Sequence, residues 1–235
     1  MPFERKDVSM QNLQKRFLIW NIVLLVLAVV CLFYYDYEGG LWRKGVTSGW
    51  FVLLGAVNVA YGKKLGGKDL RFLLLAELAL FLSMAADVLL GVQFLVGTAV
   101  FALGHVCYFA AFCALEKFRR RDLLVTAPIG VVSLILVLAT PFIRVEDPVM
   151  QAMLVVYALV ISFMLGKAVG NLLVKRSLSR WLMAVGAAMF WFSDLMLALN
   201  LFGSGGRLAS TLCMYTYWPG QNLLAHALFH TVEEE

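Results

Sequence analysis

Charge is what this chain has least of. Only 15% of its 235 residues are Asp, Glu, Lys or Arg, and 62% are hydrophobic. An ordinary soluble domain carries about 25% charged residues, so the composition excludes that class and points to a membrane setting. Other signatures are missing too. Cys31, Cys107, Cys113 and Cys213 form no C-x-x-C pair and lie within or near apolar runs. They read as small core residues, not as disulfide or zinc partners. There is no G-x-S-x-G nucleophile elbow and no phosphate-cradling P-loop. "LFGSGGRLAS" is glycine-rich but falls between apolar runs, where it reads as a turn. The first apolar run follows a charged head (Glu4, Arg5, Lys6, Asp7, Lys15, Arg16), and no small-residue cleavage site comes after it. It reads as a span and not as a signal peptide.

What the chain does have is apolar length. A helix needs about 20 mainly apolar residues to cross a bilayer. Eight such runs are legible, at 17–35, 45–62, 71–91, 94–115, 122–141, 148–169, 180–202 and 208–230. Little chain remains between them. The expectation is an all-α, polytopic membrane helix bundle. It forms a single domain over 1–235, with a head at 1–16 and eight transmembrane helices across 17–230.

The 20 basic residues divide unevenly. Only Arg43, Lys44, Arg144 and Arg207 fall in odd-numbered loops. The rest cluster at the head, at Lys63, Lys64, Lys68 and Arg71, at Lys117, Arg119, Arg120 and Arg121, and at Lys167, Lys175, Arg176 and Arg180. The positive-inside rule then places both termini in the cytoplasm, which requires an even number of spans. The net charge of +5 needs no nucleic-acid partner: "EKFRRRD" has no interleaved aromatics and reads as an anchor for anionic headgroups. The chain is expected to be a multi-pass protein of the cell membrane, the inner one if bacterial.

Two carboxylates interrupt the apolar runs. Asp87 lies in "FLSMAADVLLG" and Asp194 in "FWFSDLMLA". Each costs about 2.5–3.5 kcal/mol to insert, so each needs a partner, a wet cavity or a role. The two segments share Phe, Ser and Asp at similar offsets in spans three and seven, which suggests a 4+4 parallel repeat. At about 1.5 Å per residue, Asp87 lies roughly 25 Å and Asp194 roughly 21 Å above the cytoplasmic ends of their spans. Tyr157 and Tyr217 fall near ~20 Å, and His105 and Gln221 near ~15 Å. Taken singly, each has a structural reading: a hydrogen-bonded acid, a packing histidine with Tyr108 one turn on, an amide joining helices. Two acids at similar depth favour function. Glu77 lies nearer the cytoplasm and is expected to pair with a basic group. His226 and His230 have an H-x-x-x-H spacing that suits zinc. They lie about 20 Å below Asp87, however, and read as interfacial.

Together these segments resemble the YhhN family of eight-span membrane proteins, the lysoplasmalogenases, from span two to span eight. "SMAADVLLG" and "FLVGTAVFALGHVCYFAAF" are similar to its Ser…Gly-Asp and Phe…Gly…Phe…His…Tyr…Ala-Phe pattern, on which fall Asp87, Gly97, His105 and Tyr108. "VVYALVISFMLGKAV" contributes Tyr157. "GAAMFWFSDLMLALNLF" contributes Ser193, Asp194 and Asn200, and "YTYWPGQNLLAHAL" contributes Tyr217 and Gln221. "RKGVTSGWF" keeps Lys44 and Thr47. The chain departs from the pattern at Gly45 (usually Pro), Ala86 (Gly), Trp218 (Tyr) and the Pro219-Gly220 pair.

The resemblance implies hydrolysis of the vinyl ether of a lysoplasmalogen to a fatty aldehyde and a glycerophospho-ethanolamine or -choline. Such chemistry suits two carboxylates, one protonating carbon and one guiding water. It requires no cofactor and no metal. On this reading Asp87 and Asp194 are catalytic. His105, Tyr108, Tyr157, Ser193, Tyr217 and Gln221 orient water and substrate, and Lys44 meets the lipid phosphate. The partners are then the lysophospholipid substrate and the surrounding membrane lipids. Two alternatives stand beside it: a zinc hydrolase built on His226 and His230, and a lipid carrier or sensor with the acids as a proton relay.

Overall fold

Each apolar run becomes one helix. In the computed structural model, which describes residues 2–34, 40–67, 69–139 and 142–234, these are α1 (Pro2–Phe33), α2 (Leu41–Lys64), α3 (Leu70–Val92), α4 (Phe94–Leu115), α5 (Arg120–Leu138), α6 (Pro148–Val174), α7 (Leu178–Phe202) and α8 (Gly206–Glu233). The expected span ends at Tyr35 and Thr140–Pro141, and the basic residue Lys68, lie outside the described residues. The charged head is helical and continues into α1.

Seven helices are long and apolar enough to cross a membrane, and α8 is not among them. The expectation of eight such helices therefore holds for seven. The reason is visible in α8 itself. Its polar side chains turn inward: Gln221, Asn222 and Thr231 are buried. They lie in or beyond the weakly apolar run "YTYWPGQN", which together with His226 and His230 dilutes the apolar length of α8.

Helices α2, α3, α4, α6, α7 and α8 form a ring, each packed on the next and α8 closing back onto α2. Helix α1 lies outside on α2 and α8, and α5 packs closely only on α6. Polar pairs lock the seams. Asn21 and Asn58, both fully buried, exchange amide hydrogen bonds of 2.7 and 3.0 Å, and Asn58 also donates to the carbonyl of Ala225 at 2.9 Å. Such amides join helices where water cannot compete. Between α7 and α8 the backbones themselves meet. A Cβ on Gly186 would sit 2.8 Å from the Gly220 carbonyl oxygen, so only glycine permits this approach. The atypical Pro219-Gly220 pair is thus the crossing point of α7 and α8. The glycine-rich turn before α8 ends at Gly206, whose φ of 52° falls in the left-handed region that favours glycine.

Two charges are placed otherwise than expected. Lys167 is fully buried, with Nζ 3.0 Å from Asp122 Oδ2 and 3.3 Å from the Lys117 carbonyl oxygen. It neutralises an acid in the α5–α6 seam and does not face headgroups. Glu77 meets no base. It presses against Gly55 of α2, and its Oε2 is buried without a hydrogen-bond partner. Among the described residues the expected ion pair is absent, and the α2 residue it presses on is a glycine.

Candidate active site

The two carboxylates are held in the same way by different helices. Asp87 of α3 accepts from Ser48 of α2 through Oδ2, and from the Tyr217 hydroxyl of α8 at 2.8 Å. Asp194 of α7 accepts from the Tyr157 hydroxyl of α6 at 2.7 Å and has His105 Nε2 of α4 at 3.2 Å, both at Oδ2. In each case one partner comes from the preceding helix and one from the next helix beyond it in the ring. Each acid therefore has the hydrogen-bonding support that a buried carboxylate requires.

The supports are themselves fixed. Trp218 donates its indole N–H to Ser48 Oγ at 3.0 Å. His105 is fully buried, with Nε2 also 2.9 Å from the Tyr157 hydroxyl and Nδ1 3.3 Å from Met164 Sδ. Met164 Sδ is a weaker acceptor than the two oxygens at Nε2, so a neutral ring beside an ionised Asp194 keeps its proton on Nε2. Phe190 stands between the two clusters, its ring centroid 4.5 Å from His105 and 5.2 Å from Tyr217.

Both acids line one cavity, the more polar of two here, together with Lys44, Asn200, Ser210 and Cys213 and the apolar Leu90, Phe101, Leu197 and Met214. A second, mainly apolar compartment also reaches Asp194, and is walled by Tyr157, Trp191, Phe94 and Phe202 among others. The two compartments share Leu90, Phe101, Asp194 and Leu197. Asp194 thus stands where a polar space meets an apolar one, and Asp87 belongs to the polar space alone.

Not every expected residue reaches these walls. Ser193 is buried and donates to the carbonyl of Phe190 at 2.7 Å, so its hydroxyl serves its own helix. Tyr108 donates to Gln221 Oε1 at 2.6 Å, away from both acids, and Gln221 Nε2 is buried without a partner. Ser48, Trp218 and Met164 are the supports that sequence reasoning passed over. Ser48 had a signal: it lies one turn beyond Lys44 in "RKGVTSGWF", on the same helix face.

The histidine pair is a separate structure. His226 Nδ1 lies 2.9 Å from Asn21 Oδ1, and the His226 and His230 Nε2 atoms are 3.2 Å apart. His226 thus joins the α1–α2 amide pair and does not sit free at the interface. No group of three or more His, Cys, Asp and Glu that could hold a metal forms among the described residues. Zinc hydrolases take three protein ligands, so the histidine pair lacks the donor set that reading needs. The four cysteines are free and half-buried; Cys31 accepts from the Trp50 indole at 3.0 Å and Cys213 faces the polar cavity.

The sequence model of the YhhN family matches residues 26–228, nearly the whole helical region and both carboxylate clusters. The chain belongs to the YhhN family. No curated protein and no solved structure matches it. The YhhN match thus covers the helices that carry Ser48, Asp87, His105, Tyr157, Asp194 and Tyr217, so the whole polar cavity lies within the family's own region.

Proposed function

We propose that this YhhN protein is a lysoplasmalogenase-like hydrolase, cleaving the vinyl ether of a single-chain ether phospholipid. One observation carries the reading: a buried carboxylate, Asp87, and a partly exposed one, Asp194, share a cavity with Lys44, and Asp194 also borders an apolar compartment. A lysoplasmalogen has the matching order of parts. Its vinyl ether joins an aliphatic chain to a glycerophosphate. Placed at Asp194, the chain lies in the apolar space and the glycerol in the polar one, with its phosphate toward the Lys44 ammonium.

The chemistry balances without another reactant. A carboxylic acid protonates the carbon of the vinyl group farther from oxygen, forming an oxocarbenium ion. A carboxylate stabilises that cation and takes a proton from the attacking water. The hemiacetal then collapses to a fatty aldehyde and a free glycerol hydroxyl, returning the proton. Asp87 and Asp194 supply the two groups, and Ser48, Tyr217, Tyr157 and His105 hold them in place.

The packing also supports a 4+4 repeat. The contacts α1–α2, α2–α3 and α3–α4 recur as α5–α6, α6–α7 and α7–α8, and α2–α8 has its counterpart in α6–α4. On this reading α8 corresponds to α4 and spans the membrane as well, which brings both termini to the cytoplasm.

The test is aldehyde release from a defined lysoplasmalogen by purified protein. General acid–base groups contribute about 10²–10⁴-fold, so Asp87→Asn and Asp194→Asn should each lose activity by at least the lower figure while remaining folded. A folded double variant with wild-type turnover would make the acids structural. Binding of the lipid without turnover by the wild type would favour a carrier or sensor.

A further inference from the structure

The apolar compartment has walls on both sides of the ring. Leu90 and Phe101 belong to the interior beside the acids, whereas Ser133, Leu136 and Val137 belong to α5, which packs outside on α6. A single cavity that touches both must pass between α6 and α7. The α6 side presents Tyr157, Ala158 and Ile161, and the α7 side runs from Trp191 to Phe202. On α7, Trp191, Leu195, Ala198 and Phe202 recur at helical spacing and form one face. The gap therefore extends from the level of Trp191, just below Asp194, toward the outer end of α7 for about 16 Å.

Its lower end is closed by side chains. Trp191 Nε1 donates to Ser133 Oγ at 2.9 Å, and Ser133 Oγ lies 3.1 Å from Ser162 Oγ. This chain ties α7 to α5 and α6 at a level where α5 and α7 have no close backbone approach among the described residues. Beyond the gap, α5 exposes Leu124, Val131, Val132, Ile135 and Leu138. An apolar face of this kind turns to hydrocarbon, so the gap opens toward lipid tails and not toward water.

We propose that the space between α6 and α7 is a lateral portal that holds the aliphatic chain of the substrate during reaction. The Trp191–Ser133–Ser162 bridge is its floor, and Ala158 and Ala198 set its width. The inference rests on the hydrolase reading for the identity of the reacting lipid, but its geometry concerns the chain alone. An unbranched chain fits: the walls offer few polar groups, and the two alanines leave the only narrow side chains on the facing helices at mid-gap. Specificity for chain length and branching then resides at residues remote from the carboxylates.

Two measurements test it. Ala158→Phe and Ala198→Phe are compared with wild type on a lysoplasmalogen with a 16-carbon alkenyl chain and on a four-carbon analogue that enters through the polar cavity. The ratio of kcat/KM for long over short chain should fall at least tenfold in each variant. Separately, a saturated-ether lysolipid with a mid-chain diazirine is photolysed on wild-type protein and the adduct located by mass spectrometry. It should fall on α5, α6 or α7 between residues 133–137, 154–161 or 191–202. An unchanged ratio in folded variants, or an adduct confined to α2 or α8, would overturn the portal. Because the saturated ether need only bind, the labelling result stands even if no lipid is hydrolysed; loss of turnover on both chains by the wild type would instead count against the hydrolase.

Discussion

At the scale of single residues, the carboxylates depend on four donors. Ser48 and Tyr217 serve Asp87; Tyr157 and His105 serve Asp194. A hydrogen bond to a charged group contributes about 1.5–3 kcal/mol, equivalent to roughly tenfold to a hundredfold in rate if the bond holds the reacting geometry. Tyr157→Phe and Ser48→Ala should therefore lower kcat by about that factor, with KM for the lipid little changed, because neither removes a chain or phosphate contact. Equal loss in kcat and binding would assign these hydroxyls to the substrate. Much of this cluster was legible. Depth counting put Asp87, Asp194, Tyr157, Tyr217 and His105 in one layer, because rise per residue is a property of the helix alone. Pairing was not, because it depends on which face each helix turns inward. Ser193 shows the difference: it adjoins Asp194 in sequence, yet its hydroxyl bonds back to Phe190.

At the scale of elements, the α7–α8 crossing rests on glycine. Alanine at Gly186 would put a methyl 2.8 Å from the Gly220 carbonyl oxygen and 2.9 Å from Leu224 Cγ. Backbone cannot yield as a side chain can, so Gly186→Ala should destabilise by about 1–3 kcal/mol, read as a lowered Tm in detergent. An unchanged Tm would mean the crossing has slack. The C-terminal cap of α8 should respond to pH. Burial pushes the Glu234 carboxyl up, but hydrogen bonds from Ser177 and Ser179 and the nearby Lys175 outweigh it and hold it below its ordinary 4.5. Ser179 donates from its amide at 2.9 Å and from its hydroxyl at 2.6 Å. A depressed carboxyl stabilises the fold above its unfolded pKa and stops doing so as pH falls through the folded value. Between neutral pH and about 4.5 the contribution should be constant, and below that the Tm of the wild type should fall faster than that of Glu234→Gln. Parallel curves would remove Glu234 from the account.

At the scale of the whole molecule, orientation follows from charge and helix number together. The basic residues outside Arg43, Lys44, Arg144 and Arg207 lie on one side if eight helices cross. A reporter fused to the C-terminus should then lie in the cytoplasm, and one inserted at 203–207 should lie outside. Cys213 offers a second reading of the same question, since it lines the cavity with Lys44 and both acids. A small charged thiol reagent added from outside should modify it, and a saturated-ether lysolipid should protect it. Both reporters found on the same side of the membrane would reduce the spanning helices to seven and leave α8 on one face.

Read from end to end, the chain's composition and periodicity determined that it is helical, where its helices lie and that it belongs in a bilayer. These are local properties: apolar length must match bilayer thickness, and backbone groups without water must bond within their own helix. It also marked Asp87 and Asp194, because an acid in an apolar run is conspicuous without any partner. The tertiary structure alone decided what those acids touch, that Lys167 and Asp122 neutralise each other inside the α5–α6 seam, and that Glu77 meets no base. It alone showed that α8 buries Gln221, Asn222 and Thr231 and that one apolar cavity is lined both by Asp194 and by residues of α5. Each of these depends on helix rotation and on contacts between residues far apart in the chain, 170 positions in the case of Ser48 and Trp218. Helical periodicity constrains which residues share a face, but not which neighbour that face will meet.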